Sequence, residues 1–278
     1  MRGVKGRNLR FALLLGLAVV CLAVVVFAPQ LCPHDPNAQV FTPLQPPSWA
    51  HWCGTDRYGR DLFSRVLVGL QTSMCSTLAL VAIVTVFGTV LGVVCGYWGG
   101  VVDGVCMAIC DVCLAFPPLV LALALATLFQ GGLAQAVLAL AVVSWPKYAR
   151  LARSQTLAVR EADFIQAAKL AGDTGAQLLA RHVLPHVLGP ILVTATLDVG
   201  TMMMELAGLS FLGLGAQPPT AELGSMISAG RSMLQTHPWV IFAPGGAMFV
   251  AVSIFHLLGD GVRDRLDPRN TAGTIREE

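Results

Sequence analysis

The feature that most constrains this chain is the recurrence of apolar stretches close to bilayer length. A hydrocarbon core of ~30 Å takes about 20 residues of helix, and six stretches approach that length: 11–28, 73–97, 105–129, 133–145, 187–206 and 239–258. The fourth is short, and the third carries Pro117-Pro118, which predicts a kink at membrane depth. Charge content agrees: 12% of the 278 residues are Asp, Glu, Lys or Arg and 55% are apolar, where a soluble domain carries about 25% charge. A net charge of +2 lacks the broad basic face of a nucleic-acid binder. The expected fold is all-α and polytopic. The first stretch resembles a signal peptide in length, but no small-x-small cleavage site follows it, so it reads as a retained anchor.

Basic residues orient the spans. Arg2, Lys5, Arg7 and Arg10 precede the first; Lys147, Arg150, Arg153, Arg160, Lys169 and Arg181 separate the fourth from the fifth; Arg263, Arg265, Arg269 and Arg276 follow the sixth. Only Arg57, Arg60, Arg65 and Arg231 fall on the other side, which predicts cytoplasmic N- and C-termini. The expected organisation is an anchor helix with an external segment (1–72), a transmembrane domain (73–262) holding a cytoplasmic loop (about 146–185), and a cytoplasmic tail (263–278).

Six of the eight cysteines, Cys21, Cys75, Cys95, Cys106, Cys110 and Cys113, lie in or beside apolar runs and read first as small hydrophobes. Cys32 and Cys53 flank a polar segment instead, and a disulfide between them is expected where that segment faces an oxidising compartment.

Within the loop, residues 157–179 read as two short helices, with Leu157, Phe164, Ala167, Ala168 and Ala171 forming an apolar face. Gly172 breaks the first helix, and Asp173 or Thr174 can cap the second. Small residues at Ala167, Ala168, Ala171 and Gly172 permit close approach by another protein, or the stretch is a solvated amphipathic loop lying on the membrane.

Gln166-Ala167-Ala168, three residues, Gly172, eleven residues and Leu184-Pro185 resemble the EAA loop of permease subunits in ABC importers. Gln166 stands where that motif has Glu and His182 where it has Ile, a variant similar to the peptide-type permeases. Residues 54–61 (Gly-Thr-Asp-Arg-Tyr-Gly-Arg-Asp), 209–215 and 258–269 also resemble the dipeptide, oligopeptide and nickel branch of that family. The resemblance implies an ABC importer type I permease fold in the bacterial cytoplasmic membrane, among lipid. It further implies a second homologous permease, two ATP-binding subunits and an extracytoplasmic solute-binding protein as partners. Ala167, Ala168, Gly172 and Asp173 would then form the turn that docks on an ATPase subunit. The chain carries no G-x-x-x-x-G-K-S/T phosphate loop, so it is expected to bind no cofactor, to be no enzyme, and to depend on ATP hydrolysed by its partners.

A charged side chain at a helix centre costs at least ~2.5 kcal/mol, so acids inside the spans call for a role. Asp198 and Glu205 are seven residues apart on one helical face with Met202 between them, Met203 and Met204 adjoin, and Asp111 lies in the third stretch beside Cys106, Cys110 and Cys113. Carboxylates, thioethers and thiols suit a borderline-soft cation such as Ni²⁺. The alternative is that Met and Cys are packing residues while Asp198 and Glu205 pair with a second subunit or face a water-filled pathway. His256 is then interfacial, and His182 and His186 are structural. Asp111, Asp198, Met202, Met203 and Glu205 are the expected pathway residues, with no metal ligand set assigned. Residues 197–203 resemble nickel permeases more than dipeptide ones, whereas 215–220 are equally similar to dipeptide permeases. Nickel is the first cargo expected and a di- or oligopeptide, or a metal–opine complex, the alternative. An ATP-independent channel or secondary transporter belongs to another class and gives no role to an EAA-like loop.

Overall fold

The computed structural model describes the backbone of residues 2–266 and the side chains of residues 9–265. The side chains of Arg2, Lys5 and Arg7, together with Arg269, Arg276 and most of the expected tail, lie outside the described residues.

α1 (Arg2–Val26) passes into a single turn, α2 (Ala28–Leu31), and then into an irregular segment that ends at Asp61. Asp61 starts α3 (Leu62–Trp98), because its side chain accepts from the backbone N–H of Ser64 at 2.9 Å. At 37 residues α3 is about 55 Å long, well beyond the hydrocarbon thickness, and it runs unbroken through residues 72 and 73. Gly99 and Gly100 terminate it at φ +67° and +70°, a region that suits glycine.

The third apolar stretch is broken, not gently kinked, at its prolines. It divides into α4 (Gly100–Ala115) and α5 (Pro118–Leu128), bent by 96° at Phe116-Pro117. Each residue before a proline is driven extended, with ψ 148° at Phe116 and 125° at Pro117. After positive-φ Gly131 and Gly132, α6 (Leu133–Val159) continues the fourth stretch through Pro146 into the basic residues beyond. The region expected as a loop from 146 therefore begins as helix.

α7 (Asp163–Leu170) and α8 (Gly175–Leu178) follow, and a π-helical turn (Leu179–Val183) joins α8 to α9 (Leu184–Phe211). α10 (Leu223–Gly230) and α11 (Trp239–Leu266) complete the chain, and no strand occurs among the described residues. Fully buried Glu222 starts α10, accepting from Gly224 N and Ser225 N at 2.9 and 2.7 Å and from Ser73 Oγ on α3 at 2.9 Å.

Four helical stretches among the described residues are long and apolar enough to cross a membrane, or five if the bent pair counts as one span. Six were expected. The missing one is α6, whose apolar part (133–145) reaches only about 20 Å before Lys147.

Close backbone contacts hold the bundle together. Gly88, Gly92 and Gly96 form one stripe of α3 facing α6, where an added Cβ would sit 2.6 Å from Trp145 O, 2.2 Å from Ala149 O and 2.8 Å from Thr156 Cβ. Small residues at four-residue spacing let membrane helices approach this closely. Gly200 admits the His256 ring of α11 against α9, and Gly224 of α10 lies on Ala207 O of α9. Apolar side chains remain exposed along the outer faces of α1 (Leu13, Val20) and α4 (Val101, Val105, Val112), as a lipid-facing or subunit-facing surface requires.

Candidate functional site

The glycine stripe of α3 fixes where α6 lies, and α6 in turn presents Lys147 and Tyr148 to α9. Asp198 of α9, 5% exposed, receives Lys147 Nζ at 2.7 and 2.9 Å and the Tyr148 hydroxyl at 2.9 Å. The buried carboxylate is thus paired and hydrogen-bonded, the condition under which burial of charge is tolerated. Lys147 is half exposed, so this charge pair opens into a cavity of about 180 Å³. Leu114 and Pro118 from the α4–α5 elbow, Ser144 of α6, and Thr201, Met202 and Glu205 of α9 line the same space. Asp198 and Glu205 share a face of α9, as two helical turns between them dictate.

The other expected pathway residues do not assemble there. Met203 is buried in the core at 1% exposure, and Asp111 on α4 pairs with Arg150 of α6. Cys110 is fully buried, and the Asp103–Arg153 ion pair at 2.5 and 2.7 Å ties the same helix to α6. His256 turns its Nδ1 to Val252 O of its own helix at 3.1 Å. The soft donors are therefore scattered rather than gathered around Asp198. Among the described residues the one cluster of three metal-type ligands lies in the segment before α3.

The turn between α7 and α8 is built to present a small surface. Ile165, Leu178 and Val183 are buried beneath it, whereas Ala167, Lys169, Leu170, Ala171 and Gly172 are exposed, Leu170 at 90%. Ile165, rather than Phe164, is the buried anchor of α7; Phe164 stacks on the His186 ring at 5.0 Å. Gly172 reverses the chain at φ +95° with nothing within 4 Å of an added Cβ. Thr174 caps α8 in a reciprocal arrangement with Gln177. Half-buried Asp173 receives His182 Nε2 at 3.0 Å, so His182 braces the turn, and Ala168 is half-buried beside it.

Residues 54–61 form a clasp. Gly54 and Gly59 have φ +77° and +69° and lie against Gln45 O and Phe41 O, where any Cβ would collide. Asp56 accepts from Arg60 Nε at 2.6 Å and from the backbone N–H of Tyr58 and Arg60 at 2.8 and 3.0 Å. Arg65 Nη1 donates to Pro36 O at 3.0 Å and Asn37 Oδ1 at 3.2 Å, and its Nη2 to Pro219 O at 3.4 Å, closing the clasp over the end of the bundle. Burial pushes the Asp61 carboxyl up, but the bonds from Ser64 N, Ser64 Oγ and His51 outweigh it and hold the group below its ordinary value.

The expected Cys32–Cys53 disulfide is not formed, and both residues are free thiols. Cys32 Sγ is directed at Ala28 O (3.2 Å) and Ser64 O (3.5 Å), while Cys53 packs on the apolar core. Burial pushes both thiols up, and the Asp61 carboxylate adds to this at each, which disfavours the thiolate that oxidation requires.

A multi-pass helical bundle, a paired carboxylate within it, and a glycine turn projecting from one end together define a helical membrane protein. The chain belongs to the family described as binding-protein-dependent transport system inner membrane component, whose profile matches residues 88–272. It is 46% identical to the probable D,D-dipeptide transport system permease protein of Escherichia coli (strain K12), over 91% of this chain and 85% of that protein. It is 39% identical to a dipeptide transport system permease protein of Alkalihalophilus pseudofirmus, over 92% and 85%. A glutathione transport system permease protein of Pectobacterium atrosepticum is 41% identical over 91% and 85%. These relatives are transport permeases rather than enzymes.

Proposed function

We propose that this chain is one permease subunit of a bacterial ABC importer for short peptides. It pairs with a second permease to enclose the pathway and receives cargo from an extracytoplasmic solute-binding protein. Two ATP-binding subunits drive the assembly, one of them docking on this chain's turn at Ala167, Ala168, Gly172 and Asp173. The observation that carries the coupling role is that turn: a small, exposed apolar surface on a helix-braced hairpin, whose rigid-body displacement would be transmitted through the π turn into α9 and Asp198. With both termini cytoplasmic, as the basic residues predict, the turn faces the ATPase and residues 30–68 face the binding protein.

Short peptides replace nickel as the first cargo. The relatives reported above are named for dipeptide and glutathione transport, and nickel is in none of those names. The cavity also presents both signs of charge, with Lys147 and Glu205 facing one space, which suits a zwitterion; of the soft donors expected there, Met202 lines the cavity, while Met203 and Cys110 are buried elsewhere.

Uptake of a radiolabelled dipeptide and of radiolabelled Ni²⁺, in cells lacking this chain and in the same cells complemented, tests the cargo. Loss and recovery of dipeptide uptake with unchanged Ni²⁺ uptake is expected. The reverse pattern would return nickel to first place.

A further inference from the structure

His34, His51 and Asp61 come together from three positions of the irregular segment and its junction with α3, and no step of transport uses them. We propose that they form a site for one divalent transition-metal ion, held by His34 Nδ1, His51 Nδ1 and Asp61 Oδ1, which fastens this segment to the start of α3. The proposal is independent of which cargo the chain carries.

The ligand atoms already lie within 4.8 Å of one another, with His51 Nδ1 2.8 Å and His34 Nδ1 3.9 Å from Asp61 Oδ1. Ligand bonds of about 2.0–2.1 Å in a tetrahedral site place neighbouring donors about 3.3 Å apart. The His51–Asp61 distance must widen and the His34–Asp61 distance shorten, each by about half an ångström, and the two imidazole donors, within 4.8 Å of each other, must settle at the same spacing, which side-chain rotation supplies. His34 Nδ1 is buried with no hydrogen-bond partner and directed at the same oxygen as His51. A buried polar atom is ordinarily satisfied, and a shared metal ion satisfies both imidazoles.

The carboxylate is already divided in the way a ligating carboxylate requires. Asp61 Oδ2 accepts from Ser64 N at 2.9 Å and Ser64 Oγ at 2.7 Å, which fixes its orientation and leaves Oδ1 facing the imidazoles. Phe41 packs edge-on against His34 at 5.0 Å and against His51 at 4.4 Å, covering one side of the group while His34 stays partly open to solvent. On binding, the His51 proton that lies on Nδ1 in the hydrogen bond to Asp61 moves through solvent to Nε2. Both rings then ligate as neutral donors. Two imidazoles and one carboxylate suit Zn²⁺ or a neighbouring first-row ion, with water in the remaining position.

The test is a Zn²⁺ titration of the full-length, tag-free chain in detergent, in competition with a chromophoric chelator, with Tm followed in parallel. One Zn²⁺ per chain is expected, with a rise in Tm on loading. His34→Gln, at a half-exposed position, should fold normally yet bind at least about tenfold more weakly and lose the Tm response. The double variant Cys32→Ser/Cys53→Ser should bind as the parent does. A folded parent that retains no Zn²⁺, a His34→Gln variant with the parent's affinity, or loss of binding in the cysteine variant would each overturn the assignment.

Discussion

Replacing Gly92 by alanine should destabilise the bundle, although the same change in most helices does the opposite. A helical glycine costs about 1 kcal/mol relative to alanine, so Gly→Ala in open space is a gain. Gly104 on α4 is such a position, since nothing lies within 4 Å of its added Cβ. At Gly92 the new Cβ would sit 2.2 Å from Ala149 O and 2.8 Å from the Ala152 Cβ. Carbon and carbonyl oxygen ordinarily approach no closer than about 3.3 Å, so α6 would have to move off α3 by about 1 Å. Overpacking costs about 1–3 kcal/mol; the 2.2 Å approach puts Gly92 toward the upper end, so the net loss after the propensity gain of about 1 kcal/mol is up to ~2 kcal/mol. The shortfall is smaller at Gly88, where the nearest atoms stand at 2.6 Å. Thermal unfolding in detergent should rank Gly104→Ala at or above the parent, Gly88→Ala below it and Gly92→Ala lowest. Because Lys147 rides on α6, Gly92→Ala should also lower uptake. A Gly92→Ala protein as stable as Gly104→Ala would refute the backbone-contact account of α3 and α6.

Two further outcomes follow from the charges. Lys147→Met leaves Asp198 buried beside Tyr148 without its cation and should cost about 3 kcal/mol, the lower end for a broken buried pair because Lys147 is half exposed. Lys147→Met/Asp198→Leu should regain most of that Tm while uptake stays lost; recovery of uptake would remove the pair from the pathway. Asp61 sits below its ordinary value, so its stabilisation is fully present above the unfolded-state pKa near 4 and is lost as pH falls through the lower folded one. With chelator present, the Tm gap between parent and Asp61→Asn should therefore narrow from about pH 6 to about pH 3, and a constant gap would contradict the bonds assigned to Ser64 and His51.

The helices were legible wherever a long apolar run dictated them, and the shared face of Asp198 and Glu205 followed from their seven-residue spacing. What stayed hidden was pairing across the bundle. Lys147 reads in sequence as one more orienting base, and nothing local ties it to a carboxylate 51 positions later. Pro117-Pro118 signals a break, but its size depends on both residues preceding a proline turning extended. The four-residue spacing of Gly88, Gly92 and Gly96 is a readable sign of close helix contact, but it does not name the facing helix. His34, His51 and Asp61 lie 17 and 10 residues apart in a segment without period, so only the folded backbone brings them together. The cysteine pair shows the converse: placement on either side of a polar segment suggested a bond, yet each thiol found a different environment.

The central claim is that this permease moves peptide only when a partner's ATP hydrolysis displaces the Gly172 turn. Dipeptide uptake by the assembled transporter in proteoliposomes, with parent or Gly172→Val, tests it most directly. Valine disfavours φ +95° but meets no neighbour there, so the chain should still insert while the turn loses its shape. The account predicts ATP-dependent uptake by the parent, and loss of both bound ATPase and uptake in the variant. Normal uptake by Gly172→Val, or gradient-driven uptake by this chain without any ATPase, would contradict it.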